Sequence, residues 1–339
     1  MARTRRSPRS PPTRSRSASD FDLTGFDALV DRARRVLCLG IGGGGDVVGA
    51  LATAELVRGR GRAAVVGGTT WERSAIDPEP GPRTLDEVLD AERLAPAIAL
   101  AGPRTRTRSG VRFAEARLAE ALDETVVLLD VNGGPAAIER GIAAATAHLE
   151  CDLVVLVDVG GDVLAHGGEP GLGSPLCDAV VLAAAPALAR RVPVVLGVFG
   201  TGCDGELTPD EVLARVAEVA AAGGLLGAWG LTPEAAQRVE TAVAAVPTEA
   251  SAQALACARG AHGTVEIRGG RRTVQRTPVG ALTFYLDAEA ALRSAARLAR
   301  AVGGAASLDD ANAKLGALGV STELDWERRV SGASPPPER

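Results

Sequence analysis

The sequence lacks several features that would assign a protein to a class at once. Its 339 residues include a single lysine, Lys314, and no apolar run approaches the roughly 20 residues that a helix needs to span a bilayer. None of the five cysteines forms a CxxC pair, and the Gly-Lys-Ser/Thr sequence of a P-loop does not occur. These absences argue against a membrane protein, a structural zinc site and a P-loop nucleotide-binding protein.

The two ends of the chain have little apolar content. The first 19 residues hold six arginines among Ser, Thr and Pro, with no acidic residue. Such segments bury too little apolar surface to offset the entropy of ordering, so we predict disorder in 1–19 and also in 331–339. The N-terminal segment has no apolar h-region, so we expect no secretory signal peptide. With an odd number of cysteines, this favours a reduced, cytoplasmic protein.

The charge distribution bears on the expected partners. The whole chain has a formal net charge of −5, and without the six tail arginines the remainder carries −11. An acidic body argues against a nucleic-acid-binding surface, although the tail alone could serve as a nucleic-acid arm instead of a solvated extension. We therefore expect a small-molecule ligand, no nucleic acid and no membrane, and a homo-oligomer is compatible with the sequence.

Apolar runs alternate with helical patterns along residues 20–222, which we predict to be a Rossmann-like ligand-binding core. Continuous Val/Leu strands alternating with helices indicate an α/β fold with a mostly parallel sheet and helices on both faces. The predicted strands are 36–39, 63–66, 125–131, 153–159 and 192–199, and the predicted helices are 47–57, 85–94, 113–122, 135–149, 175–189 and one that starts after Thr208. Residues 101–112 are rich in Arg and Thr and are predicted to form a loop.

Residues 223–330 differ in character, and we predict a helical and β-hairpin addition that packs on the core. The predicted helices are 233–246, 248–259, 287–302 and 308–318, and the predicted hairpin joins 264–267 to 273–275 across two glycines. Residues 282–286 could extend that hairpin. This region would either cap the sheet edge or mediate dimerisation.

Glycine-rich loops follow five of the predicted strands. In open α/β sheets, ligands bind beyond the carboxyl ends of the strands, and glycine allows a close backbone approach to the ligand. We therefore predict a small-molecule site at this edge, with Ser174 and Asp178 in a nearby loop and helix start. The candidate binding residues at the strand ends are Gly42, Gly43, Gly44, Gly45, Asp46, Thr69, Thr70, Asn132, Gly133, Gly134, Gly160, Gly161, Gly200 and Gly202.

The ligand class follows less directly from the motifs. Gly40, Gly42 and Gly45 fit G-x-G-x-x-G formally, but the acidic residue that contacts ribose about 20 residues later is missing. Glu72 is the nearest substitute, so NAD(P) is disfavoured without being excluded. Thr69, Thr70 and Arg83 would suit a phosphate or a carboxylate. A nucleotide is compatible with these residues and with the glycine loop.

Carboxylates are the second signal at this edge. Several of them could bind Mg²⁺ through oxygen ligands or act as general acid and base, although some could instead cap helices or turns. We select Asp158, Asp162 and Asp204 as metal ligands. The candidate catalytic residues are Asp158, Asp162, Asp204, Glu206 and His166, and Asp46 and Asp130 also fall at predicted strand ends. A nucleophilic pair of Cys203 with His166 is a further alternative.

Five motifs in combination resemble a known family. They are Gly-Ile-Gly-Gly-Gly-Gly-Asp at 40–46, Trp-Glu-Arg with Asp-Pro and Pro-Gly-Pro-Arg within 71–83, Asp-Val-Gly-Gly-Asp at 158–162, Ser-Pro-Leu-Cys-Asp-Ala at 174–179 and Asp-Gly-Glu-Leu at 204–207. They resemble a bacterial and archaeal family catalogued as domain of unknown function 1152, over about residues 30–320. The resemblance implies a Rossmann-like fold and brings no established activity.

Three functions remain open at this point. The first is a metabolic enzyme that binds a phosphorylated or nucleotide-type substrate, with aspartates as metal ligands or acid and base. The second is an NAD(P)-dependent oxidoreductase with a non-standard ribose contact. The third is a non-catalytic sensor that binds a metabolite at the same edge.

Overall fold

A computed structural model describes residues 25–332 of the chain. The predicted disorder in 1–19 lies outside the described residues, as does most of that predicted for 331–339. Residues 331 and 332 are ordered instead, because they end and cap the last helix. The strands are β1 (Arg35–Gly40), β2 (Ala63–Thr69), β3 (Val88–Ala95), β4 (Ile98–Thr107), β5 (Val126–Leu129), β6 (Leu153–Val159), β7 (Val194–Phe199), β8 (Leu225–Gly230), β9 (Gly263–Ile267), β10 (Arg272–Arg276) and β11 (Leu282–Asp287).

The α-helices lie between the strands and at the C-terminal end. They are α1 (Phe26–Arg32), α2 (Asp46–Gly59), α3 (Ala114–Leu122), α4 (Gly134–His148), α5 (Pro175–Leu182), α6 (Ala185–Leu188), α7 (Pro209–Ala221), α8 (Pro233–Ala245), α9 (Glu249–Ala258), α10 (Ala288–Arg293), α11 (Arg297–Ala301), α12 (Leu308–Ala317) and α13 (Glu323–Ser331). Short 3₁₀ helices cover Leu85–Glu87, Asp162–Leu164 and Pro278–Ala281. Within residues 25–332, no helix combines the length and hydropathy needed to cross a membrane.

A nine-stranded sheet forms the centre of the molecule, in the order β3-β4-β5-β2-β1-β6-β7-β11-β8. The five strands from β5 to β7 are parallel, whereas β3 and β4 at one edge and β11 and β8 at the other pair antiparallel. The α/β class with a mostly parallel sheet is therefore confirmed. The strands β9 and β10 form the separate predicted hairpin.

The central strands form because both faces of the sheet are covered. All seven residues of β6 are buried, which is the pattern of a parallel strand between two helical layers. One layer contains α2 and α8, and the other contains α4, α5 and α12. At α7, Thr208 and Glu211 form a capping box and Pro209 occupies the first turn, as the sequence predicts.

Two predictions at the β3–β4 edge are wrong. Residues 85–94 form a 3₁₀ turn and then β3 instead of a helix, and most of 101–112 belongs to β4 instead of a loop. The helix-favouring Leu, Ala, Glu and Arg of β3 are held extended by antiparallel pairing with β4. The Arg/Thr-rich composition indicated a loop, and Gly102 and Pro103 in this segment lie where the β3–β4 register shifts opposite Asp90.

The C-terminal region contributes more to the sheet than its composition indicates. The prediction that 282–286 extends the hairpin is wrong, because β11 inserts between β7 and β8 in the main sheet. Strand β8 and helix α13 were not predicted at all. The predicted helices around 233–246, 248–259 and 308–318 are present, and 287–302 is divided into α10 and α11.

Candidate functional site

The two strands β1 and β6 are neighbours at the centre of the sheet, and the chain leaves them toward opposite faces. After β1 it enters α2 in one helical layer, and after β6 it continues to α5 in the other. In open α/β sheets, ligands bind beyond the carboxyl ends of two strands that diverge in this way. The glycine loop that precedes Asp46 and the segment 158–162 lie at these strand ends.

The loop between β1 and α2 is held in place by hydrogen bonds of Gly42 with Asp46 and Thr69. The backbone N–H of Gly42 donates to Asp46 Oδ2 at 3.0 Å, and the carbonyl of Gly42 accepts the Thr69 hydroxyl at 2.8 Å. A Cβ atom at Gly42 would lie 2.6 Å from Asp46 Oδ2 and 3.2 Å from Asp178 Oδ1. Glycine at position 42 therefore leaves the space that these two carboxylates occupy.

One group of carboxylates, the Asp46 group, consists of Asp46, Asp158 and Asp178. One oxygen from each lies within 4.8 Å of the others, although the residues come from α2, β6 and α5. Asp158 is 1% exposed and Asp178 is 2% exposed. Neither Asp158 Oδ2 nor Asp178 Oδ1 has a hydrogen-bond partner within the described part of the chain.

The electrostatics of the Asp46 group are unfavourable for three bare carboxylates. Burial raises the pKa of Asp46 to about 7, against the opposing effect of Arg73. Burial, followed by repulsion from neighbouring aspartates, raises the pKa values of Asp158 and Asp178 well above the usual range. At neutral pH this group needs protons or a cation to compensate its charge.

A second group, the Asp162 group, consists of Asp162, Asp204 and Glu206, again with oxygens within 4.8 Å of one another. Burial raises the pKa of Asp204 to about 7 and that of Asp162 well above its usual value. Burial also opposes ionisation of Glu206, but Arg272 and the hydrogen bonds from Ser174 and Gly173 hold its pKa below the usual value. Glu206 is therefore a fully engaged carboxylate.

The two groups adjoin, and they divide the predicted metal ligands. Asp158 lies in β6 and Asp162 opens the 3₁₀ helix that follows it, so the groups meet at the carboxyl end of this strand. The sequence-based ligand set joined Asp158 with Asp162 and Asp204, whereas the structure places Asp158 with Asp46 and Asp178. Asp178 was expected only to bind the ligand, because its position on α5 relative to β1 cannot be inferred from spacing.

The turn after β6 depends on its glycines. Gly160 has φ +128°, and a Cβ there would lie 2.3 Å from the carboxyl carbon of Asp204. Its carbonyl accepts the Gly202 N–H at 2.7 Å, which joins this turn to the loop after β7. Gly161, Gly200 and Gly202 also have positive φ values. These four predicted binding glycines thus shape the loops that carry Asp162 and Asp204.

Three arginines that the sequence analysis passed over lie near the carboxylates. Arg73 lies over the glycine loop, since a Cβ at Gly43 would be 2.5 Å from its Nε. Arg272 donates from Nη1 to Glu206 Oε1 at 2.5 Å, and the charge of Arg268 interacts with those of Glu206 and Asp204. Because the chain uses arginine for almost all its positive charge, no single arginine stood out in the sequence.

Two buried acids, Glu72 and Glu115, meet at the end of β2. A Cβ at Gly44 would lie 2.7 Å from Glu72 Oε1, and one at Gly68 would lie 2.0 Å from Glu115 Oε1. Burial raises the pKa of Glu72 to about 7, and burial followed by the charge of Glu72 raises that of Glu115 well above its usual value. Neither carboxylate oxygen of Glu115 has a hydrogen-bond partner among residues 25–332.

Several predicted binding residues serve the fold instead. Arg83 donates to Asp77 Oδ2 at 2.7 Å and to Glu79 Oε2 at 2.6 Å, so its guanidinium is already paired. Asp130 accepts the backbone N–H of Leu85 at 3.0 Å and the side-chain amide of Asn132 at 2.8 Å.

The strand end that carries Asn132, Gly133 and Gly134 is filled by the protein's own chain. A Cβ at Gly134 would lie 2.9 Å from the carbonyl oxygen of Ala305, and Asn132 accepts the Leu308 N–H. Thr69 holds the glycine loop, as described above. Thr70 differs from these residues, since its buried hydroxyl has no partner within the described residues.

His166 and Ser174 occupy positions other than those expected. His166 Nε2 lies 3.1 Å from Glu218 Oε2 on α7, and it belongs to neither carboxylate group. Ser174 precedes α5 but makes no side-chain cap; its hydroxyl donates to Glu206. Cys203 lies beside Cys257 instead of His166, because a Cβ at Gly280 would come within 2.9 Å of both sulfurs. The Cys203–His166 pair is therefore not formed.

The fold and site together define a Rossmann-like α/β protein with two adjoining groups of buried carboxylates at the point where the strand order reverses. A family model, described as a protein of unknown function (DUF1152), matches residues 37–331. The chain belongs to this family, which confirms the resemblance seen in its motifs. Searches of curated proteins and of solved structures gave no significant match.

Proposed function

We propose that the protein is a cytoplasmic metabolic enzyme that acts on a phosphorylated or nucleotide-type small molecule with the help of a divalent cation. Asp46, Asp158 and Asp178 would hold the cation, and the glycine loop with Arg73 would bind the phosphate. The observation that supports this most is that two buried carboxylate oxygens of the same group, Asp158 Oδ2 and Asp178 Oδ1, have no hydrogen-bond partner among residues 25–332.

The donor set fits a hard cation. Mg²⁺ prefers oxygen ligands and is usually bound through one or two carboxylates, waters and substrate phosphates. A buried carboxylate without a hydrogen bond is costly, and a cation removes both the unpaired oxygen and the repulsion between aspartates. Because the aspartates carry raised pKa values, binding of a cation should also release protons.

The cation also resolves a conflict at the glycine loop. The N–H of Gly42 is already used by Asp46, so a bare phosphate beside the Asp46 group would meet negative charge. A cation between the phosphate and the aspartates reverses that repulsion. Arg73, which lies over Gly43, can then contact the same phosphate from the opposite side.

Proton transfer would fall to the adjoining Asp162 group. Asp204, with its pKa raised to about 7 by burial, is suited to exchange a proton near neutral pH. Glu206 is held by Arg272 and Ser174, so we assign it the task of positioning this group. His166 is not given a catalytic role, because its ring pairs with Glu218.

The first test is cation binding by Asp178→Asn and Asp158→Asn, measured as thermal shift and titration calorimetry with Mg²⁺ and Mn²⁺. The wild type at about 100 times Kd should gain roughly 2.7 kcal/mol of stability, and both variants should lose this gain. Asp123→Asn is the matched control, because Asp123 is exposed at the end of α3. Equal cation shifts in Asp178→Asn and Asp123→Asn would refute the proposal.

The second test adds nucleotides and sugar phosphates, with and without Mg²⁺. A ligand shift that requires Mg²⁺ supports the proposal and names the substrate class. The oxidoreductase alternative has one observation in its favour, since Glu72 and Glu115 lie at the end of β2 where a ribose contact is expected. Metal-independent binding of NAD(H) would favour it, and binding without turnover would favour a sensor.

A further inference from the structure

The β9–β10 hairpin reaches the carboxylate edge of the sheet and is fixed there. Arg272 of β10 donates from Nη1 to Glu206 Oε1 at 2.5 Å and to the carbonyl of Asp204 at 3.3 Å. The backbone also packs closely, because a Cβ at Gly205 would lie 3.1 Å from the carbonyl oxygen of Thr273. The hairpin therefore forms one side of the carboxylate site.

Arg268, which follows the last residue of β9, is held in an uncommon conformation. Its φ is +53°, in the left-handed region that residues other than glycine rarely adopt. Its backbone N–H donates to Glu249 Oε2 at 2.9 Å, which anchors the turn to α9. Such positions tend to persist where the surrounding structure enforces them, often at ligand-binding sites.

The guanidinium of Arg268 stands apart from those of its neighbours. Arg271 lies over the Trp326 ring and Arg272 is paired with Glu206, whereas the Arg268 side chain has no ion pair or hydrogen bond to any residue in 25–332. Burial and the nearby charge of Arg272 lower the pKa of Arg268, and the charge of Arg73 acts in the same direction.

Arg73 likewise has a donor atom without a hydrogen-bond partner among the described residues. Its Nη1 is buried without a hydrogen bond among the described residues, although Glu323 Oε1 is 3.6 Å away. Arg73 comes from the loop after β2 and Arg268 from the hairpin, so guanidinium groups from two separate segments lie at the same edge of the sheet. Guanidinium groups with free donors in such a place match phosphate oxygens, which they can bind in a bidentate manner.

We propose that Arg268 binds a second phosphoryl group of the substrate, next to the first one that Arg73 and the cation hold, so that the ligand is a diphosphate and not a monophosphate. This inference rests on the proposed function, in which the cation holds the first phosphoryl group. One phosphate on the cation leaves the Arg268 guanidinium without a hydrogen-bond partner among the described residues, and a second phosphate would supply one. The diphosphate could belong to a nucleotide or be inorganic pyrophosphate.

The test compares Arg268→Gln with Arg271→Gln in the full chain. Both changes remove one positive charge from the same turn, and glutamine keeps the backbone N–H that Glu249 accepts. Calorimetry with Mg²⁺ would measure binding of inorganic phosphate, pyrophosphate, AMP and ADP, and a Mn²⁺ titration without phosphate would follow the cation site alone.

We expect Arg268→Gln to weaken pyrophosphate or ADP binding by about 10-fold or more, the effect of losing a charged hydrogen bond. It should not weaken Mn²⁺ binding, because it removes a positive charge that acts on Asp46. Arg271→Gln should stay within about twofold of wild type, as expected for an exposed side chain. Preference for ADP over pyrophosphate would identify a nucleotide as the source.

Two results would overturn the inference. One is an equal effect of Arg268→Gln and Arg271→Gln on diphosphate binding. The other is a wild type that binds pyrophosphate and ADP no more tightly than phosphate and AMP, including no binding of any. Because the Mn²⁺ titration contains no phosphate, it would show separately whether the proposed cation site also fails.

Discussion

The carboxylate of Glu323 accepts the backbone N–H of Cys177 at 3.0 Å, across 146 positions of sequence. The same carboxylate accepts the N–H of Leu176 at 3.0 Å, so helix α13 satisfies the first turn of α5. These N–H groups have no partner inside their own helix. Asp178 lies on that turn, and the C-terminal helix therefore positions a candidate cation ligand.

Replacing Glu323 should reveal this coupling. Glu323→Ala leaves two buried N–H groups without an acceptor, and we expect a loss of about 2–4 kcal/mol in the free energy of unfolding. Glu323→Gln keeps one acceptor oxygen and should lose clearly less. Urea denaturation gives the free energies, and Glu289→Ala serves as control. Its partly exposed side chain pairs with Arg293 at 3.6 Å, and less than about 0.5 kcal/mol is expected. Equal losses in Glu323→Ala and Glu289→Ala would show that the contact carries no stability.

Gly42 offers a test of the cation site that leaves every carboxylate in place. A Cβ at position 42 would lie 2.6 Å from Asp46 Oδ2, so Gly42→Ala must displace that carboxylate. We expect Mn²⁺ affinity to fall by at least about 10-fold, which corresponds to 1.4 kcal/mol.

Gly59→Ala is the control for this change, because Gly59 ends α2 and a Cβ there meets nothing within 4 Å. It should retain wild-type Mn²⁺ affinity and gain a few tenths of a kcal/mol of stability or more. Calorimetric titration of both variants with Mn²⁺ measures this difference in affinity. Unchanged affinity in Gly42→Ala would mean that Asp46 is not a ligand.

The sequence predicts the centre of this fold better than its edges. Strand β6 was predicted with its observed limits because a run such as Leu153–Val159 can only be buried on both faces. Strand β3 was taken for a helix, since its Leu, Ala, Glu and Arg favour helices and only pairing with β4 makes it extended. Edge strands carry little periodic signal of their own.

The candidate site was also predicted only in part, because its strand-end residues can be found in the sequence and their tertiary partners cannot. Strand ends can be located in a sequence, so Asp46, Asp158, Asp162, Asp204 and Glu206 were found. Whether such a residue is free depends on tertiary partners, which is why Arg83 proved to be paired with Asp77. Arg268 was missed because only the hairpin's attachment through Arg272 brings it to the edge.

His166 provides a test of a residue that the structure removes from the catalytic set. His166→Gln should leave Mn²⁺ binding and any turnover unchanged. Burial, followed by the charge of Arg215, lowers the pKa of His166 below 6.5, so the folded protein favours the neutral ring. The stability from this group is present above pH 6.5 and is lost as the pH falls through the lowered pKa.

Thermal melts between pH 7.5 and 5 would check the sign, where about 6.5 is the ordinary histidine pKa. His166→Gln should lose less stability on acidification than the wild type. His148→Gln is the control, since His148 is exposed at the end of α4. Loss of turnover in His166→Gln with an unchanged melting temperature would restore His166 as a catalytic candidate.

The Glu72–Glu115 pair gives the strongest prediction for pH dependence. The folded protein raises the pKa of Glu115 well above 4.5, so it favours the protonated form more than the unfolded chain does. The corresponding stability is present below pH 4.5 and is lost as the pH rises toward the raised pKa. Glu72, with a pKa of about 7, loses its share between pH 4.5 and 7.

Glu115→Gln keeps the shape of the protonated acid and cannot ionise. We expect it to melt close to the wild type at pH 5 and clearly above it at pH 8, because each unit of pKa shift corresponds to about 1.36 kcal/mol. Glu120→Gln on the same helix is the control; Glu120 is exposed and paired with Arg112, so its effect should be small at both pH values.

A Glu115→Gln protein less stable than the wild type at pH 8 would mean that the charged carboxylate is needed, as it would be if a cation bound there. Repeating the pH 8 melt in EDTA separates these cases, since chelation removes a cation's contribution and leaves the proton linkage unchanged.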